Sequence, residues 1–439
     1  MHLRFPPLCG RRLAFAITLL GASHTPWAQP ASRLSLQEAV ALASSRSSDA
    51  ETSSSAVQSA IEMAVAGGQL PDPVLKVGVN NVPVDGRDRF SLGTEAMTMR
   101  SISVMQEFTR TAKRQARAQR FEAEATSAEA QRTVALAAVQ RGTASAWLER
   151  QYAERMLDVF AEQTQSIRLM VDAAEAAYRA NRGTRAEILT AQLELQQVRN
   201  REDEARAAVA ASRAMLRRWV GDAADLLLAE PPALELPTWL GNLDADTVMR
   251  LPDVAAAQAQ VGVAEADSRI ASENKVPDVS VELMYSQRGP AYSNMVSVNV
   301  SLPLPWDRKH RQDRELAAKL AQAEAVRAQA ESIRRGVLGQ VRGKQAQWQL
   351  NQSRLARYVD TTLPLAKARI DAALTAYRTG AGTLTAVADA NRKALDISLE
   401  HLQLEAATAR LWTELAFLLP LPTAAQGPAR ATRVHGGWE

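Results

Sequence analysis

Cysteine is almost absent from this chain: Cys9 is the only one in 439 residues. A disulfide framework is excluded, and so is a thiolate metal site. After Ala22 no stretch reaches the roughly 18 consecutive apolar residues that a membrane-crossing helix needs. Aromatic side chains make up 5% of the chain, too few for a base-stacking platform, and no nucleic-acid partner is expected. There is no phosphate-binding Gly-rich loop, zinc-protease signature or nucleophile elbow. His24, His310, His401 and His435 are scattered without ligand spacing. No catalysis, cofactor or resident metal is expected.

The chain also lacks a real excess of charge. Its formal net charge of +4 includes Arg4, Arg11 and Arg12, which lie with no acid in residues 1–28. That segment has a charged start, an apolar run from Leu13 to Ala22 and then Thr25-Pro-Trp-Ala28 as a cleavage region, the plan of a secretory leader. Pro26 departs from the usual small residue three positions before a cut. Without the leader, 49 of the 52 basic side chains face 48 acidic ones, so no anionic partner is implied. Cys9 leaves with the leader, and no later cysteine could accept a lipid.

What the chain does have is duplication. "AYRANRGT" from Ala177 returns as "AYRTGAGT" from Ala376. "LPDPVLKV" from Leu70 is answered by "VPDVSVEL" from Val276, and the basic run Arg110–Arg114 by Asp307–Arg311. Trp147 and Trp348 each lie between a basic run and a tip. The order in both halves is helix, Pro-Asp, two strand-like runs, basic run, long helix, tip, returning helix, and such repetition means one architecture used twice. Ala, Gln, Glu, Arg and Leu dominate while Gly and Pro are sparse, which favours helix. From Leu316, apolar residues recur at Leu320, Ala323, Val326, Ala330, Ile333, Val337 and Val341, one stripe of a helix. From about Lys113 and Lys309 to the tips, each helix would run roughly 100 Å. The returning helices over 184–219 and 383–418 are half as long, and helical segments 35–68 and 245–275 complete them. "LLLAEPPALELPTWLGNLDAD" (226–246) is punctuated by proline and reads as a connector.

Four runs alternate with period two. Leu75, Val77 and Val79 alternate with polar or small residues, as do Ile102 and Val104, then Val279, Val281, Leu283 and Tyr285, then Val296, Val298, Val300 and Leu302. Such strands suit a sheet between lipid and lumen, and equally a soluble sheet with one wet face. A cationic run follows each pair: Arg110, Lys113, Arg114 and Arg117, then Arg308, Lys309, Arg311 and Arg314. Cations at the end of a membrane strand reach interfacial phosphates; a solvated helix face is the plainer reading. Four strands cannot close in lipid, and barrels begin at about eight. A cyclic homotrimer of twelve strands is the simplest closure.

With the duplicated tip and paired strands in view, the plan resembles the TolC family of outer-membrane efflux proteins over about 35–420. Within it, "LPDPVLKVGVNNVPVDGRDRFSLGTEAMTMRSISVMQEF" is most similar to outer-membrane components of heavy-metal efflux systems of the cobalt–zinc–cadmium and copper type. The resemblance implies a mainly α fold with a small β part, in which duplicated helical hairpins form a periplasmic α-barrel under a trimeric outer-membrane β-barrel. It divides the chain into a signal peptide (1–28), a first repeat (29–225; strands within 73–108, tip near 178–184), a connector (226–244), a second repeat (245–420; strands within 278–303, tip near 377–383) and a disordered tail (421–439). It implies a periplasmic adaptor and an inner-membrane resistance–nodulation–division pump as partners, with outer-membrane lipid around the barrel.

By the same resemblance, Tyr178, Arg179, Gly183, Thr184, Tyr377, Arg378, Gly380, Gly382 and Thr383 are adaptor-contact candidates. Asp389, in "AVADA", matches an acid that lines the closed mouth of related channels. Ala386 stands where some relatives have a second acid, and Glu187 could supply charge instead. A ring of carboxylates would favour cations and respond to pH; the bland alternative is that these residues only cap and solvate the turns. Arg110, Lys113, Arg114, Arg308, Lys309 and Arg311 are the membrane-interface candidates. Met97, Met99 and Met105 invite a Cu(I) relay, although strand methionines usually serve packing. The expected function is a passive duct for metal cations, with drugs or type I secretion as alternatives on the same fold. A soluble periplasmic coiled-coil adaptor or scaffold is the rival of another class.

Overall fold

The computed structural model describes residues 33–422. The expected leader and all but two residues of the expected tail lie outside them. In the first half the chain runs α1 (Leu36–Ser45), α2 (Ser48–Gly67), β1 (Val74–Asn80), β2 (Met99–Phe108), α3 (Thr111–Arg179) and α4 (Arg185–Val220). The second half repeats the order with α5 (Ala245–Met249), α6 (Pro252–Glu273), β3 (Val279–Gln287), β4 (Met295–Ser301), α7 (Gln312–Arg357), α8 (Leu363–Arg378) and α9 (Leu384–Ala416). The two helices expected over 35–68 and 245–275 are each split. The second split falls just before Pro252, which fits the first turn of a helix but not its interior.

The long helices of the two halves differ. α3 is unbroken for 69 residues, about 100 Å. Its counterpart is interrupted between α7 and α8 by a π-helical turn, Tyr358–Thr362. Pro364, in the first turn of α8, explains the break: it has no N–H to donate, and its ring would clash with the carbonyl four residues back. The backbone widens there, so that the Leu363 N–H reaches the Tyr358 carbonyl five residues earlier.

The hydrophobic core lies midway, where the connector crosses both halves. Trp147 is fully buried and donates from Nε1 to the Leu34 carbonyl at 3.0 Å. Around it pack Leu148, Leu216, Val220, Leu251, Val341, Trp348 and Leu415. Arg150 is also buried, and its guanidinium donates to the Ala224 and Leu226 carbonyls at 2.6 and 3.0 Å. Trp412 and Gln345, on α9 and α7, donate to connector carbonyls of Glu235 and Leu240, both at 2.8 Å. Leu34 joins Leu228 in a parallel bridge. Polar side chains on three helices thus satisfy a non-helical segment that would otherwise bury unpaired carbonyls.

Above this core α2, α3, α6 and α7 lie side by side in that order, leaving α2 and α7 outermost. The four strands follow the same logic in one antiparallel sheet, β1-β2-β3-β4, with β1 and β4 at the edges. Its middle pair, β2–β3, joins the two repeats. Two adjacent rows hold only apolar side chains on one face: Leu75, Val104, Leu283 and Val298, then Val77, Ile102, Tyr285 and Val296. The other face carries Lys76, Ser103, Met105, Glu282, Met284, Ser297 and Asn299. Below the core the chain forms two helical hairpins, α3–α4 and α8–α9, packed on each other through α3 and α9.

Candidate functional site

The tips close the two hairpins at the end farthest from the sheet. In the first, α3 ends at Arg179, and Asn181 takes a left-handed conformation, φ 55°. The Arg182 N–H then returns to the Ala177 carbonyl at 2.9 Å. Thr184 begins α4 with a capping box: the Glu187 N–H donates to Thr184 Oγ1 at 3.3 Å, and the Thr184 N–H donates to Glu187 Oε2 at 2.8 Å. In the second tip Gly380, at φ 77°, holds the position of Asn181. The N–H groups of Ala381 and Gly382 both reach the Ala376 carbonyl at 2.9 Å. Thr383 caps α9 by accepting from the Ala386 N–H at 3.2 Å. Ala386 cannot complete a capping box.

Gly183 and Gly382 do not use left-handed backbone; they permit close approach. A Cβ on Gly382 would lie 3.0 Å from Ala376 Cβ, and one on Gly183 3.2 Å from Ala177 Cβ and from Glu187 Oε2. Tyr178 is exposed, and Arg179 and Arg378 lie in the last turns of α3 and α8, where cations favour the helix dipole. The sequence-derived tip residues are therefore brought together as two adjacent turns. Asn181 belongs with them and was missed; the signal was its alignment with Gly380.

The two mouth candidates differ in what they contact. Glu187 is engaged in the capping box. Asp389 is exposed on α9 and pairs with Arg392 one turn on. Arg392 Nη1 also lies 3.7 Å from Glu194 Oε1 on α4. Burial pushes the Glu194 carboxyl above its ordinary value, Arg392 pulls it down and Asp389 pushes it up. Arg201 and Asp396, 3.5 Å apart, make a second tie between α4 and α9. Glu194 and Arg392 escape a sequence reading because their contact crosses 198 positions. Among the described residues no group of three or more His, Cys, Asp or Glu is placed to hold a metal ion.

At the sheet end the two basic runs part company. Lys113 Nζ lies 2.6 Å from Asp278 Oδ2, with both side chains largely buried, and the Arg110 N–H donates to Asp278 Oδ1 at 3.2 Å. Burial raises the Asp278 carboxyl, but Lys113, the Arg110 amide and Arg117 hold it below its ordinary value. Arg110 also pairs with Glu273 at 3.4 Å, and Arg114 donates to the Gly68 carbonyl at 3.1 Å. These three cations staple α3 to the turns around it. In the second run Arg308 lies 3.6 Å from Asp313, and Lys309 and Arg311 are exposed without an ion pair among the described residues. On the polar face of the sheet, Glu282 accepts from Ser103 Oγ at 2.6 Å and pairs with Lys76 at 3.3 Å; Lys76 Nζ is 3.6 Å from Met105 Sδ. Met99 and Met105 thus share the face of the polar residues. No helix among the described residues is long and apolar enough to cross a membrane.

Residues 246–420 match a family model described as outer membrane efflux protein. No curated protein sequence matches the chain. Solved structures are similar over most of its length. The outer membrane protein VceC of Vibrio cholerae is 18% identical, with TM-score 0.71, covering 87% of this chain and 95% of its own. CusC, described in terms of folding and transmembrane channel formation, is 15% identical with TM-score 0.74, covering 87% and 91%. The open state of the MtrE outer membrane channel of Neisseria gonorrhoeae is 15% identical with TM-score 0.70, covering 88% of each chain.

Proposed function

We propose that the chain, whose residues 246–420 match the model of the outer membrane efflux protein family, is a channel of that kind and the exit duct through which heavy-metal cations cross the outer membrane. Channels of this family are homotrimers that work with an adaptor and an inner-membrane pump. The observation that carries the channel reading is the four-stranded sheet with two unpaired edges and two adjacent all-apolar rows on one face, set on a helical body whose longest helix runs about 100 Å. Such a sheet has no stable state alone in lipid, and three copies closing edge to edge remove every free strand. A soluble scaffold would leave Leu75, Val77, Val296, Val298 and Val300 against water, at roughly 25 cal/mol for each Å² of apolar surface.

The repeat boundaries given above, with a connector over 226–244, belong to the same proposal. So do the roles of the tips as adaptor contacts and of Asp389 as a mouth residue. Glu187 is the weaker mouth candidate because its carboxylate is held by its own helix cap. The metal cargo rests on the likeness of residues 70–108 to metal-efflux components. Drug efflux and type I secretion share the duct.

The test is growth of a deletion strain, and of complemented strains, across Zn, Co, Cd, Cu, Ag and Ni salts and a drug panel. Sensitivity to one or a few metals is expected, restored by the intact chain but not by a Gly380→Leu/Gly382→Leu double variant. Sensitivity to drugs with unchanged metal tolerance would reassign the cargo. Full complementation by the double variant would remove the tips from docking.

A further inference from the structure

We propose that the connection between β1 and β2, residues 81–98, is a lid over the outer end of the lumen, a size filter that passes ions and small solutes and turns back large ones arriving from outside. The inference rests on the outer-membrane reading above. The connection lies at the end of the sheet away from the helices, where β3 and β4 are joined by residues 288–294 alone. Residues 81–98 exceed the roughly 12–15 residues beyond which a connection without secondary structure of its own usually carries a function. Burial shows which way it leans. Ser286 shares the polar face with Glu282 and Met284, yet it is only 1% exposed. Its neighbour Tyr285, on the apolar face, is 44% exposed. The outer end of the sheet is therefore covered on one side, the side that faces the lumen in a closed barrel.

The cover is the lid, and the end of β3 is its seat. Arg288, two residues beyond Ser286, reaches across with Nε donating to the Ala96 carbonyl at 2.8 Å, and Nη2 donates to the same oxygen. Its guanidinium lies over the Tyr292 ring, 4.9 Å from the centroid, and the Arg288 N–H donates to Asn294 Oδ1 at 3.2 Å. A Cβ on Gly289 would lie 2.0 Å from the Gly93 carbonyl oxygen, so only glycine lets the backbone of the lid come down there. At the base of the lid, Thr98 Oγ1 donates to the Asn81 carbonyl at 3.0 Å and Asn81 Nδ2 to the Met97 carbonyl at 3.3 Å. The loop thus hangs from β1 and β2 and rests beyond them, on β3. The seat is made for parting. Ser286 Oγ is buried with no hydrogen-bond partner among the described residues, and lifting the lid returns it to water. The loop adds no residue to either apolar core, so what ties it to β3 is the arginine clamp and the glycine contact. Cargo leaving the duct pushes it outward, whereas a large solute outside meets it closed.

The test uses the full chain in intact cells. No cysteine follows Cys9, so single substitutions give clean labelling sites: Ser297→Cys on the polar face of β4, below the lid, and Asp85→Cys on the exposed lid itself. Each is treated with a small polar maleimide and with a maleimide on a long polyethylene glycol chain. Both reagents are expected to label Asp85→Cys, while only the small one labels Ser297→Cys. Adding Gly289→Ala or Arg288→Gln should raise the rate of the long reagent at Ser297→Cys roughly tenfold, since labelling of a covered group follows the population of its open form. Equal rates of the long reagent at both cysteines in the otherwise intact chain overturn the lid and leave the channel reading standing. So does exclusion that persists in both lid variants, which puts the barrier deeper in the barrel. Asp85→Cys that reacts only in broken cells would sink the outer-membrane reading and the lid together.

Discussion

The two hairpins share an eight-residue tip and close it by different means. The first is an unbroken α3 returning through Asn181 into a full capping box. The second carries a π turn above its tip, uses Gly380 for the reversal and caps α9 with one hydrogen bond instead of two. The basic runs are unequal in the same sense, because that of the first repeat is spent on internal pairs. Duplication preserved the architecture while tightening one copy. The first repeat is a strut, and the second keeps the bend and the free charges.

The largest expected inequality lies in the core. Trp147→Ala should cost about 4 kcal/mol in guanidinium unfolding of the detergent-solubilised protein, since it opens a large cavity and orphans the Leu34 carbonyl. Trp348→Ala, whose indole is slightly exposed, should cost less. Next come the staples: Lys113→Met leaves the largely buried Asp278 without its ion-pair partner, at about 3 kcal/mol, while Lys309→Met should stay within about 0.5 kcal/mol in the same assay. Equal effects there would erase the asymmetry between the basic runs. At the tips, Thr184→Ala should cost about 1 kcal/mol and Thr383→Ala about half of that, read as local amide-exchange protection in the first turns of α4 and α9.

The smallest effect is a pH dependence. Burial holds the folded pKa of Glu194 above the ordinary glutamate value of 4.5. Its contribution to the α4–α9 contact is therefore complete below that value and is lost as pH rises through the higher folded one. Glu194→Gln should flatten that slope, and a variant with the wild-type slope would acquit the residue.

Much of this was legible in the sequence. Period-three-and-four and period-two patterns are local, so helix lengths, strand parity and the paired tips could be read directly. Pro364 was equally visible, yet its outcome depended on whether the chain would stop, kink or widen, and packing against α9 settles that. The partners of Lys113 and Arg392 lie 165 and 198 positions away, where no periodicity reaches.

The seam between β2 and β3 constrains the order in which the molecule can be made. Ser103 and Glu282, partners across it, are separated by 179 residues of chain. Until the second repeat has been synthesised and delivered, the inner edge of β2 has no neighbour and its apolar row has no sheet to join. The entropy of closing so large a loop has to be met late. The first half therefore travels as helices with a sticky, unfinished ribbon. Its strands are completed as a sheet last, although β1 and β2 come early in the sequence.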